Sequence, residues 1–347
     1  MKRIHEFDSV RVLANLMRMV LHCMVPYMVT NHGFWFFKSG YQHLGADYIT
    51  YVMHALIMEI FMLVSGYLSP VSGDGKPMAG RLWRDLLFPW LFAWCITMPF
   101  LYYLNGVETG TGGWRLFIGD LSSRRIHLLQ FWYLEYLVLF TVLLYKIKTP
   151  QWWWGLLLMA VGWALNDEMV IRTPKYVGIE LPGFIYFAGW FLLGRALGNI
   201  NTPLNTIPPL AIRVQVVLFA VCFIVCGLYM KLRLDSELSG IHLLLFKLSA
   251  LGTPLFGCTA LLQGFGQLLW RPPKWMLAGN YFTYLFHLPI AVAIQFGFHL
   301  LGVQSVMAPV AVVLLSIGSV YALSAFLNTP YFALCKWITG AFIKKVQ

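Results

Sequence analysis

Charge is what this sequence has least of. Only 11% of its 347 residues are Asp, Glu, Lys or Arg, while 59% are apolar; soluble globular domains carry about 25% charge. Such a balance excludes a disordered chain and an ordinary water-soluble enzyme, whose surface could not take up so much apolar side chain. A bilayer accepts it as contact area with lipid. Acidic residues are scarcer than basic ones, 14 against 25, giving a formal net charge of +11. In a soluble protein that excess would point to nucleic acid. In a membrane protein basic residues gather in cytoplasmic loops and fix topology, so no nucleic-acid partner is expected.

Other absences narrow the reading further. None of the six cysteines stands in a Cys-x-x-Cys pair, so they are read as small buried hydrophobes and no metal is expected. Polar connections run to about 20 residues at most, which leaves no room for an appended soluble domain, and no low-complexity tract or repeat between the halves is visible. After Lys2 and Arg3 the apolar run contains Arg11 and Arg18 and has no small-residue cleavage signature. It is expected to be a retained first helix rather than a signal peptide.

What is present is a series of apolar stretches near the length needed to cross a bilayer as helix, about 20 residues. Ten qualify, at about 10–30, 50–69, 83–104, 128–146, 151–165, 182–199, 210–230, 241–263, 276–300 and 306–327, the 151–165 stretch being short. The expected fold is all-α: a polytopic integral membrane protein with about ten transmembrane helices forming one domain over 1–347. With the N-terminus in the cytoplasm, fifteen basic residues, Arg195 among them, fall on the inner side and eight on the outer, with Arg18 and Lys247 inside helices. That asymmetry predicts both termini inside. Trp152, Trp153 and Trp154, just after Lys146 and Lys148, suit the aromatic belt of the inner leaflet.

A charged side chain at mid-membrane costs several kcal/mol, so the ionisable groups inside these stretches are the functional candidates. Arg11, Asn15, Arg18 and His22 follow one another at spacings of 4, 3 and 4 and form one polar stripe about 16 Å long. A cation near the cytoplasmic end with a histidine deep on the same face suits a long anionic ligand entering from inside. A neutral imidazole can remove a hydroxyl proton during acyl transfer, and the Arg18 guanidinium one turn away disfavours the imidazolium. The plainer alternative is a stripe that only pins helix to helix. In the second stretch His54 and Ser65 share a face and Glu59 is a mid-membrane carboxylate; Glu135 lies early in the fourth, near the outer side; Asn280, Tyr284 and His287 share a face in the ninth, ahead of Pro289.

These residues resemble the acyltransferase 3 family of integral membrane acyltransferases. Its first-helix signature, Arg, ten residues, then His, is met by Arg11 and His22. Three further segments agree in order: Phe-x-x-x-Ser-Gly-Tyr at 61–67, Arg-x-x-x-x-Pro from Arg84 to Pro89, and Tyr-x-x-Tyr-Leu-x-His-x-Pro at 281–289. The opening Phe7-Asp8-Ser9-Val10-Arg11 is similar to the branch that succinylates periplasmic glucans. That branch has His-Leu-Trp-Phe-Leu in the fourth helix where this chain has Gln130-Phe131-Trp132-Tyr133-Leu134. The resemblance implies transfer of an acyl group, acetyl first and succinyl second, from cytoplasmic acyl-CoA as co-substrate to a hydroxyl of an extracytoplasmic carbohydrate or glycolipid, in a bacterial inner membrane. It implies His22 as general base, with Arg18 and Glu135 as further catalytic candidates, and Arg11, Arg84, Tyr284 and His287 as donor-binding residues.

Two other classes compete. A transporter or flippase for an anionic metabolite also needs buried Arg and His, although the missing internal repeat speaks against it. A receptor or scaffold would use the polar residues for packing alone. The outer connections 105–127 and 166–181, rich in Trp, Tyr and acidic residues, suit carbohydrate stacking and interfacial anchoring equally.

Overall fold

The computed structural model describes residues 5–29, 39, 41–69, 80, 82–110, 112–122, 131–144, 146–147, 150–165, 181–199, 209–235, 240–267 and 271–327, and among them there is no strand. The helices, in chain order, are α1 (His5–Met24), α2 (Leu44–Leu68), α3 (Phe88–Thr109), α4 (Gly113–Ser122), α5 (Trp132–Leu143), α6 (Trp152–Leu165), α7 (Leu181–Asn199), α8 (Pro209–Asp235), α9 (Gly240–Gln267), α10 (Lys274–Leu300) and α11 (Ala308–Leu327). A 3-10 turn, Val25–Tyr27, ends α1, and a π-helical turn, Trp83–Leu87, leads into α3. Each of the ten apolar stretches holds one helix.

Among the described residues six segments are long and apolar enough to cross a membrane: Leu44–Leu68, Leu181–Gly198, Ala211–Tyr229, Gly240–Gly264, Lys274–Leu300 and Ala308–Leu327. Their outward side chains are apolar, with Val217, Ile224 and Leu228 of α8 and Leu314 and Phe326 of α11 all more than half exposed. Such a surface is stable only against lipid, and the chain is an integral membrane protein.

The 128–146 stretch departs from expectation. Among its described residues the α-helix covers the 12 of α5, about 18 Å at 1.5 Å per residue, against a hydrocarbon core of about 30 Å. α4 falls in a stretch read as an outer loop. α4 folds back along α3: Gly113 abuts the Tyr102 backbone, and the Phe117 ring lies 5.4 Å from Tyr102 and 6.4 Å from Trp94. Trp114 and Ile118 remain exposed, giving α4 the character of an interfacial helix. Residues 123–130 and 166–180 lie outside the described residues, as do 1–4 and 328–347.

Close packing through glycine builds the centre. A Cβ at Gly66 of α2 would meet the Phe191 carbonyl of α7, and a Cβ at Gly194 of α7 would meet the Leu63 carbonyl of α2. The two backbones therefore touch, as small residues allow in membranes. Around them the Phe140 ring packs at a tilt against Phe184 and Phe191, with centroids 4.9 and 5.6 Å apart, and Phe131, Met62, Leu63 and Trp190 have almost no exposed surface.

Arg195, counted with the inner-side loops, is instead inside α7 and 3% exposed. It donates to the Leu144 and Ile147 carbonyls after α5, at 2.5 and 3.0 Å, and to Ser69 Oγ after α2, at 2.6 Å. A guanidinium at a helix C-terminus satisfies carbonyls that lack intrahelical partners and opposes the dipole. The C-terminal ends of α2, α5 and α7 thus meet at one level. At the opposite end Asp47 accepts from the Val29 amide at 2.9 Å and secures the α1–α2 connection.

Candidate functional site

The polar stripe of α1 and the polar face of α10 meet each other. The two helices run in the same direction, and the 3- and 4-residue steps of one fall beside those of the other. Asn15 faces Asn280, Arg18 faces Tyr284, and His22 faces His287.

The lowest contact is structural. Asn15 Nδ2 donates to the Asn280 side-chain oxygen at 2.5 Å and to its carbonyl at 2.9 Å, and both residues are buried. This is the helix-pinning role that the plainer reading gave to the whole stripe.

One turn on, Arg18 is 3% exposed and its Cζ lies 4.3 Å from the centre of the Tyr284 ring. A guanidinium on an aromatic face is held flat while its edge remains able to donate. Tyr284 in turn packs against Phe61 and Tyr133, with ring centroids 6.0 and 5.5 Å away. The Tyr133 hydroxyl donates to the Phe61 carbonyl at 3.3 Å, so the Ser65 hydroxyl, 2.6 Å away, donates to the Tyr133 oxygen. That hydroxyl feels the charges of both Arg11 and Arg18. Tyr133 thereby brings α5 into the site, a role the sequence analysis did not give it.

At the top level the His22 and His287 rings have centroids 5.1 Å apart. His287 is 1% exposed, and its Nδ1 lies 2.9 Å from both the Thr283 and the Tyr284 carbonyl oxygens. His22 is half-buried and His54 of α2 is exposed, although both feel the charge of Arg18. Open space therefore adjoins the histidines. Gln295, also unanticipated, closes this end of α1 by donating to the His22 and Cys23 carbonyls at 3.0 and 3.1 Å. Its signal was a polar residue in an apolar stretch, the criterion that singled out His287. Three histidines converge here, yet no group of three or more His, Cys, Asp or Glu among the described residues is arranged to hold a metal.

The remaining candidates separate. Arg11 is half-buried two turns below Arg18, on the stripe and near Tyr133. Arg84 is exposed on the π-helical turn, and the Tyr281 hydroxyl ties α10 to that turn by donating to the Leu86 carbonyl at 3.1 Å. π-Turns are often found at functional sites. Glu59 faces the other way: the Tyr186 hydroxyl of α7 donates to its Oε1 at 3.3 Å, and Cys258 of α9 is its other neighbour. Glu135 stands in the first turn of α5. It lies about 13 Å along α5 from the carbonyls held by Arg195, and about 200° around the helix from Tyr133. It is thus turned away from the cluster.

The arrangement offers a base with open space beside it, a fixed guanidinium one turn below, and further cations toward the end where α1 begins. Comparison with protein-family models, with curated proteins and with solved structures finds no match for this chain.

Proposed function

We propose that this chain is a membrane O-acyltransferase of the acyltransferase 3 type. It moves an acetyl or, second, a succinyl group from acyl-CoA on the cytoplasmic side to a hydroxyl of an extracytoplasmic carbohydrate or glycolipid, in a bacterial inner membrane. The observation that carries this reading is the level-by-level pairing of Arg18 with Tyr284 and of His22 with His287, beside open space.

His22 takes the proton of the acceptor hydroxyl as its oxygen bonds to the acyl carbon. The Arg18 guanidinium, held by the Tyr284 ring, stabilises the negative charge that develops on the acyl oxygen. The C–S bond then breaks, and the CoA thiolate receives the proton from His22. Arg11 and Arg84 lie toward the cytoplasmic side and suit the phosphates of the donor.

Ten membrane passes with both termini in the cytoplasm belong to the same proposal. The parallel run of the first and ninth stretches, and the common level at which the second, fourth and sixth end, are what alternating passes require.

The test is reconstitution in liposomes with acetyl-CoA or succinyl-CoA and a set of oligosaccharide and glycolipid acceptors, following free thiol and acylated product. Acceptor-dependent thiol release that disappears in His22→Ala supports the proposal. Uptake of an anionic solute without thiol release would replace it with the transporter reading.

A further inference from the structure

We propose that His287 is a positioning residue that sets the tautomer of His22, rather than a ligand of the acyl donor. The inference rests on the acyltransferase reading for its kinetic consequence, but its geometry does not need that reading.

Both oxygens at His287 Nδ1 are backbone carbonyls, at 2.9 Å. A carbonyl only accepts, so Nδ1 carries the hydrogen, and in the neutral ring Nε2 presents a lone pair. That Nε2 is buried and has no hydrogen-bond partner, in a side chain that is 1% exposed. A buried acceptor of this kind is completed by a donor in the working state. The His22 ring lies beside that of His287, 5.1 Å away between centroids and tilted by 40°.

Thr283 and Tyr284 are held by the helix itself, so the His287 ring cannot turn over without losing both bonds. Its lone pair is a fixed feature of α10. An N–H of His22 directed to it leaves the other His22 nitrogen as a lone pair for the acceptor hydroxyl. After proton transfer His22 carries hydrogen on both nitrogens; one stays on His22, hydrogen-bonded to the lone pair of His287 Nε2, and the other goes to the departing thiolate. His287 stays neutral throughout and exchanges no proton. The orienting role is that of the third member of a nucleophile–base–orienter set, filled by an imidazole instead of a carboxylate.

The experiment uses the full chain in lipid nanodiscs with 15N-histidine, the His22 and His287 resonances being identified by their loss in His22→Gln and His287→Gln. In the native protein His287 should be protonated at Nδ1, and His22 should show a single tautomer. In His287→Leu the His22 signals should become a mixture, whereas in His287→Gln, whose side-chain oxygen can accept the same N–H, one tautomer should persist. An unchanged His22 in His287→Leu overturns the proposal, as does hydrogen on His287 Nε2 in the native protein. Should His287→Leu not fold, the native spectrum together with His287→Gln decides. In the transfer assay, His287→Leu should lower kcat about 10- to 100-fold with KM for acyl-CoA within about twofold, and His287→Gln should recover most of it. A rise in KM at unchanged kcat would instead make His287 a donor-binding residue. If no acyl transfer is found with any donor, the enzyme reading fails while the spectra still judge the histidine pair.

Discussion

Two arginines on one stripe are assigned different work by their surroundings. Arg18 is buried against the Tyr284 ring, a contact that depends on a flat cation. Lysine keeps the charge but not the plane. Arg18→Lys should lower kcat about 10- to 100-fold, with less effect on KM for acyl-CoA. Equal activity of the lysine variant would show that charge alone suffices. Arg11 is half-buried near the start of α1 and is expected to meet the donor before and during the reaction alike. Arg11→Gln should therefore raise KM with little change in kcat, and should remove the thermal stabilisation expected of acyl-CoA on the detergent-solubilised protein. His22→Ala should cost at least about 100-fold in rate, the usual scale for a lost general base, with unchanged expression in the membrane. Full activity in that variant ends the assignment of His22.

Packing between elements makes stability predictions independent of catalysis. α2 and α7 touch through Gly66 and Gly194, so a valine at either position must part the two backbones. Gly66→Val should destabilise by about 1–3 kcal/mol, read as a fall in midpoint temperature in detergent. Arg195→Ala, which strips donors from the Leu144 and Ile147 carbonyls, should cost about 1–3 kcal/mol. A neutral result at Arg195 would mean that water or lipid headgroups satisfy those carbonyls. Helix existence was legible in the sequence because length and apolarity are local properties. The pairing of Asn15, Arg18 and His22 with Asn280, Tyr284 and His287 was not, since it joins residues as far apart as Asn15 and Asn280, 265 positions along the chain. Periodicity revealed each stripe and was silent on which stripe faces which. The turn of α4 back along α3 was hidden for a related reason. Hydropathy averages over about 20 residues and cannot see a chain that turns back along its neighbour.

For the whole molecule, direction is the property that ties fold to the proposed chemistry, in which a donor on one side and an acceptor on the other require His22 to be reachable from both. The side-by-side, parallel run of α1 and α10 fixes their shared direction, and Arg195 fixes a shared level for the ends of α2, α5 and α7. In the proposed ten-pass arrangement the start of α1 and the end of α7 belong to one face of the membrane, and the turn after α10, at Gly302 with a left-handed φ of 65°, belongs to the other. A periplasm-active reporter inserted after Gly302 should be active, whereas the same reporter fused before His5 or after Leu327 should be silent and a cytoplasm-active one bright. Activity of the periplasmic reporter at Leu327 would place the last helix end outside, make the number of passes odd, and remove the support that alternation gives to the ten-pass arrangement. The His22 level would keep its geometry in that case, but Arg11 and Arg84 would have to be reassigned only if the reporter before His5 were also active, because the side on which α1 begins is the side from which an anionic donor meets them.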